Sequence, residues 1–251
     1  MLNQETENHS VSDKKYLVPF ILITSLFFLW GFARAILDVL NKHFQNALHI
    51  SITQSALIQV TTYLGYFLMA IPAGIFINKY GYRRGVVFGL LLFGLGAIFF
   101  IPGASIGSFS AFLFCLFVIG CGLVFLETAA NPYVTELGAR ETATSRLNLS
   151  QSFNGLGSIF ATFCIGQFLF NDTQQGGNVV IPYAILGVLV LAIAVVFSRV
   201  DLPEIQHQQT TEDKAKGSNI VKLFANHRMF VFGLFALLSY EVAEISINSY
   251  F

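Results

Sequence analysis

The sequence predicts an all-α fold, a polytopic transmembrane helical bundle. Three observations carry that reading. First, of 251 residues 55% are hydrophobic and only 11% are charged. A soluble domain carries about 25% charged residues, so this chain has too little polar surface for water to be its solvent. Second, seven stretches meet or approach the roughly 20 apolar residues that a helix needs to cross a bilayer. Third, the basic residues fall in every second connection between those stretches. Nothing shows the alternating segments of about 10 residues that mark a membrane β-barrel.

The seven stretches run over 16–40, 54–77, 85–101, 109–137, 148–170, 179–197 and 229–251. The separators 78–84 (around Gly81), 102–107, 138–146 and 171–178 (with Gly176-Gly177) are short and carry turn residues. Lys and Arg favour the cytoplasmic side of a membrane. Of the 14 basic residues, twelve lie on one side: Lys14, Lys15, Lys79, Arg83, Arg84, Arg140, Arg146, Arg199, Lys214, Lys216, Lys222 and Arg228. Only Lys42 lies on the other side, and Arg34 falls inside a span. The N-terminus is therefore expected in the cytoplasm. Lys14-Lys15, the apolar run and Ala33-Arg34-Ala35 also have the outline of a signal peptide. The run is long for one and its A-x-A holds a bulky Arg, so the segment is expected to remain as a span.

Four parts follow: a cytoplasmic segment 1–15, a six-helix bundle 16–199, a cytoplasmic linker 200–228 and a seventh helix 229–251. The linker holds Pro203, a polar run over 206–211, and the mixed charges Glu212, Asp213, Lys214 and Lys216, the composition of a solvated connector. A lone span after such a linker reads as the start of a second bundle, so the chain is expected to be an N-terminal fragment. Cys115, Cys121 and Cys164 all lie in apolar runs and read as small buried hydrophobes rather than a disulfide or metal framework. Zero net charge gives no footing for nucleic-acid binding.

Charges inside spans cost about 2.5–3.5 kcal/mol each at a helix centre, so those present are expected to face a bundle interior. Five stand out: Arg34, Asp38, Glu127, Glu241 and Glu244. Arg34 and Asp38 are four apart and share a helix face with Trp30, four residues earlier. A carboxylate beside an aromatic plate suits a sugar, whose C–H face stacks while its hydroxyls need acceptors. Glu127 lies mid-span with no basic residue in helical reach of its own span. Desolvation disfavours a charged carboxyl, which suits such a group to take up a proton on one side and release it on the other. Pro132 cannot donate to the carbonyl of Thr128, so that carbonyl, Asn131 and Glu127 make a polar cluster on one helix side. Asn148, Gln151 and Asn154 form an amide stripe at the start of the fifth span. Amides both donate and accept, which matches sugar hydroxyls and equally suits helix-to-helix bonding. Gln59, Glu241 and Glu244 are further candidates to line a cavity. Gly120, Gly122, Gly155 and Gly157 are expected to permit close helix packing.

If six spans form two inverted repeats of three, span one corresponds to span four and span two to span five. Asp38 and Glu127 then occupy equivalent helices. No residue-level repeat is visible in the sequence itself.

Phe28-Leu29-Trp30-Gly31 followed by Asp38, Leu126-Glu127-Thr128-Ala129-Ala130-Asn131-Pro132-Tyr133-Val134, and Arg146-Leu147-Asn148-Leu149 followed by Gln151, Phe153 and Asn154 resemble the first, fourth and fifth helices of the fucose–glucose/galactose proton symporter family. That family lies within the major facilitator superfamily. Gly74, Lys79, Gly81 and Arg83 fit the superfamily's weaker motif between helices two and three. The resemblance implies two six-helix halves with alternating access around a central sugar site. It assigns proton coupling and sugar recognition to Asp38 and Glu127, and sugar contacts to Asn148, Gln151 and Asn154. The chain departs from it at Arg34, Ala35 and Leu37, where amides are usual, and at Asn78 and Tyr82 of the loop motif.

The resulting expectation is a proton-coupled symporter of L-fucose or a hexose such as glucose or galactose. Its partners are the sugar, the proton and the lipid bilayer, without nucleic acid. It is expected to need no cofactor or metal, to be monomeric when full length, and to lie in the bacterial inner membrane. The alternative is a membrane sugar sensor or assembly partner that does not transport. An enzyme is not expected: His9, His43, His49, His207 and His227 all lie at ends or in loops, and no HExxH occurs.

Overall fold

The computed structural model describes residues 14–47, 52–106, 108–170, 180–200 and 228–250. Among them there is no strand. The helices are α1 (Lys14–Ala47), α2 (Ile52–Tyr80), α3 (Tyr82–Ile98), α4 (Phe100–Ile106), α5 (Phe109–Glu136), α6 (Ala143–Phe170), α7 (Val180–Arg199) and α8 (Arg228–Tyr250). The chain divides into two compact units, Met1–Ile205 with α1 to α7 and Gln206–Phe251 with α8. The predicted N-terminal segment and most of the predicted linker lie outside the described residues. Four stretches are long and apolar enough to cross a membrane: Tyr16–Ile36, Leu57–Tyr80, Tyr82–Gly103 and Phe109–Glu136. The remaining predicted spans are helices as well, α6, α7 and α8.

Two separators differ from expectation. The one at 78–84 shrinks to Gly81, whose φ of 89° a side chain would disfavour. Its N–H still bonds the Ile77 carbonyl at 2.8 Å, so α2 turns into α3 within one residue. The segment 102–107, expected as a turn, instead belongs largely to α4. Proline lacks the N–H that would pair with the carbonyl four residues back. For Pro102 that carbonyl belongs to Ile98, where α3 stops, and the chain resumes as a separate short helix.

The interior of the first unit is built around α5, whose residues from Cys115 to Val134 are largely buried. α5 packs on α2 and α3, α1 packs on α6, and α3 packs on α7. In lipid there is no hydrophobic drive between apolar helices, so association needs close backbone approach at small residues. A side chain at Gly31 would collide with the Asn154 carbonyl, and one at Gly157 with the Phe28 carbonyl. On the other pair, a side chain at Gly120 would strike the Thr62 carbonyl, and one at Gly65 the Phe117 carbonyl. Gly122 likewise meets the backbone of α3 at Phe93. Gly155 does not act this way: nothing lies within 4 Å of the side chain it lacks. The stripe points outward there, because α1 crosses α6 two residues further on. Phe67, Ile71, Ile75, Ile159, Phe163, Ile185 and Val188 are exposed, an apolar exterior that suits lipid as solvent.

Both ends of α5 and α7 on the basic side are held by arginine. Arg146 is buried and donates to the carbonyls of Val134 (3.1 Å), Thr135 (2.7 Å) and Ala139 (2.9 Å). These are the orphan acceptors at the end of α5 and the turn after it. Arg83 donates to the Phe197 carbonyl at 3.3 Å and to that of Ser198, at the end of α7.

Candidate functional site

Polar groups from four helices converge inside the first unit. Trp30 on α1 is buried and meets Phe27 edge-on, with ring centroids 6.0 Å apart. Its indole N–H is buried with no hydrogen-bond partner. One turn on, Arg34 is half-buried. On α2, the surroundings of the Tyr66 hydroxyl include the Glu127 carboxyl of α5, the Arg34 guanidinium and Trp30 indole of α1, and Tyr63. The Tyr66 hydroxyl and the Trp30 N–H share this space but do not meet hydrogen-bond geometry. Tyr63 and Tyr66 rings lie 6.0 Å apart.

Glu127 has no basic residue in helical reach of its own span. The fold brings Arg34 and Glu127 into one electrostatic neighbourhood around Tyr66. Each of the two is already engaged within the molecule.

The amide stripe sits beside this cluster. Gln151 Nε2 on α6 donates to Asn131 Oδ1 on α5 at 3.3 Å. Asn148 and Gln151 are exposed and Asn154 is half-buried. Ser158 reaches the Gly31 carbonyl at 3.0 Å, fixing α6 against α1. About two turns earlier on α6, Ser150 is buried and its hydroxyl bonds Thr24 of α1 at 3.1 Å. α6 therefore turns hydroxyls to α1 and leaves the amides open.

Asp38 lies on α1 one turn beyond Arg34, with its side chain outside the described residues. Gln59 is half-buried on α2 and engaged within the molecule. It shares a stripe with Tyr63 and Tyr66, at spacings of four and seven. Glu241 and Glu244 lie on α8 in the second unit, both half-buried. Cys115 and Cys121 are buried as expected, whereas Cys164 is only partly so. Tyr63 and Tyr66 were not singled out from sequence, because an aromatic in an apolar run reads as core. Their spacing from Gln59 was the available signal. Among the described residues no cluster of His, Cys, Asp or Glu could hold a metal.

A bundle of membrane-length helices that gathers charged and polar side chains from several of them is the architecture of a polytopic membrane protein. The chain belongs to the Major Facilitator Superfamily, whose family model matches residues 23–251. It is 37% identical over 228 residues to the L-fucose-proton symporter of Haemophilus influenzae, covering 80% of this chain and 53% of that protein. It is 35% identical over 255 residues to the glucose/galactose transporter of Brucella abortus, covering 99% and 61%. A crystal structure of the Escherichia coli fucose:proton symporter FucP matches with a TM-score of 0.67 and 36% identity, covering 80% of this chain and 55% of that one. The relatives are those that the helix-one, helix-four and helix-five motifs implied. The chain spans 53% of the length of the first of these two curated relatives and 61% of the second.

Proposed function

We propose that this chain forms the N-terminal half of a secondary active transporter that couples proton entry to symport of a monosaccharide, L-fucose or a hexose such as glucose or galactose, by alternating access. The observation that carries the reading is the convergence of Glu127, Arg34, Tyr66 and Trp30 from three helices, in a chain similar to an L-fucose-proton symporter and a glucose/galactose transporter.

In this reading Glu127 and Asp38 exchange protons and Glu127 also accepts from the sugar. A protonated carboxyl is tolerated in a closed, dry cavity, whereas the ionised form favours a wet, open one. Arg34 and the Tyr66 hydroxyl stabilise the carboxylate when the proton leaves. Trp30 offers an aromatic face and a free donor. Asn131, Asn148, Gln151 and Asn154 pair with sugar hydroxyls. Protons serve as the coupling ion without a cofactor. The twelve-to-one bias of basic residues supports a cytoplasmic N-terminus, with segment 1–15 and linker 200–228 on that side and α8 opening the second bundle. The protein works as a monomer in a bacterial inner membrane.

The test is uptake of labelled L-fucose, D-galactose and D-glucose by cells expressing the gene, with and without a protonophore. Accumulation of one of them that collapses with the protonophore is the expected result. Binding without accumulation would replace transport with the sensor reading. Neither binding nor accumulation of any monosaccharide would discard both.

A further inference from the structure

The two tight helix crossings of the first unit are the same crossing seen twice. On α1 and α6 the reciprocal approaches are Gly31 to the Asn154 carbonyl and Gly157 to the Phe28 carbonyl. On α5 and α2 they are Gly120 to the Thr62 carbonyl and Gly65 to the Phe117 carbonyl. One offset, 89 residues, relates Phe28 to Phe117 and Gly31 to Gly120. Another, 92 residues, relates Thr62 to Asn154 and Gly65 to Gly157. The third pair behaves as a two-fold axis requires and crosses itself: Gly94 faces the Gly187 carbonyl and Gly187 faces the Gly94 carbonyl. The backbone contacts thus fix a residue-level register between the inverted repeats that the sequence alone does not display.

Carried along the helices, this register pairs Asp38 with Glu127 and Gln59 with Gln151. Each acid lies seven residues beyond its crossing glycine, and each glutamine lies six residues before its own. Each spacing is the same in the two repeats, so the two acids hold equivalent helix positions and so do the two glutamines. Because the repeats are inverted, the pair Glu127–Gln151 lies on one side of the crossing level and the positions of Asp38 and Gln59 lie on the other.

We infer that Gln59 is a sugar-contacting residue, the counterpart of Gln151 in a second half-site on the opposite side of the crossing level. The inference rests on the monosaccharide reading of the site. A separate observation supports the direction of Gln59. It shares its stripe with Tyr63 and Tyr66, and the Tyr66 hydroxyl lies in the field of Glu127 and Arg34. That stripe therefore faces the interior that holds the charges. An amide there offers a donor and an acceptor to adjacent hydroxyls. Two such amides, one from each repeat, would grip a pyranose from both ends and set which hydroxyl pattern is accepted.

Trp30 is the chain's one tryptophan, so its fluorescence in the detergent-solubilised chain reads occupancy of the site without a label. Titrations with L-fucose, D-galactose and D-glucose identify the sugar that binds, and single-deoxy analogues of that sugar then probe each hydroxyl. Gln59→Ala is expected to weaken binding about ten-fold. For one hydroxyl, its removal should weaken binding to the wild type yet cost nothing further in Gln59→Ala, the mark of a direct pair in a double-mutant cycle. Gln151→Ala should show the same behaviour at a different hydroxyl. Unchanged affinity in Gln59→Ala overturns the inference, as does weaker binding with no hydroxyl singled out, since that is the pattern of a structural glutamine. These results leave the monosaccharide reading intact. A wild-type chain that responds to no monosaccharide removes that reading and this inference with it.

Discussion

Gly31 of α1 lies so close to the Asn154 carbonyl of α6 that a side chain at that position would overlap it. The contact is backbone against backbone, so no rotamer change can relieve a substitution. Gly31→Ala must separate the helices, and overpacking of this kind costs about 1–3 kcal/mol. Gly155, two residues before Gly157 on the same helix, has open space where its side chain would be. Gly155→Ala is therefore expected to be neutral or to stabilise by about 0.4–1 kcal/mol through the unfolded chain. Thermal unfolding in detergent, followed by circular dichroism, should lower the midpoint for Gly31→Ala and leave or raise it for Gly155→Ala. Equal effects would mean that the crossing is looser than the structure shows.

Among the described residues, hydropathy was enough to locate the four helices long and apolar enough to cross a membrane, because lipid demands long apolar runs whatever the tertiary contacts. It was less able to place helix ends. The turn at Gly81 and the short α4 depend on where backbone N–H groups find acceptors, and mean apolarity does not record that. The charged and amide candidates were legible because each is costly in lipid and stands out singly. Tyr66 was not, since a tyrosine is cheap in an apolar run until its hydroxyl is seen beside Glu127. The repeat register was hidden for a related reason. The crossing glycines, the acid and the glutamine hold it with a few common apolar residues, such as Phe28 with Phe117 and Leu64 with Leu156, while most other paired positions differ. Trp30 has Ile119 as its counterpart, and Arg34 has Leu123.

Arg146 gathers three carbonyls from the end of α5 and the turn beyond it. A planar fork with five donors can do this, whereas an ammonium at the end of a flexible stem cannot. Hydrogen bonds to a charged donor are worth about 1.5–3 kcal/mol each, and their loss also strands the acceptors. Arg146→Met is expected to destabilise the chain by about 3 kcal/mol or more, and Arg146→Lys to recover only a minor part. Hydrogen exchange at the amides of the 137–143 corner should rise sharply in both variants. If Arg146→Lys exchanges as slowly as the wild type, charge rather than the fork holds the corner.

Glu127 shares the surroundings of Tyr66 with Arg34, and in the transport reading its protonation is the step that changes the net charge of the site. Glutamine keeps the shape of a protonated carboxyl and holds that state permanently. In the transport reading, Glu127→Gln should still bind sugar and still exchange labelled for unlabelled sugar across proteoliposomes, because both need only the neutral form. Accumulation driven by an acid exterior should fall to a ratio of about one, since no proton leaves on the inner side. The sugar affinity of the wild type should weaken as pH rises through the range in which the carboxyl loses its proton, and that dependence should be absent in the variant. A Glu127→Gln protein that still concentrates sugar against a gradient would move proton coupling to another group. Asp38, the equivalent acid in the inverted repeat, would then be the next residue to substitute.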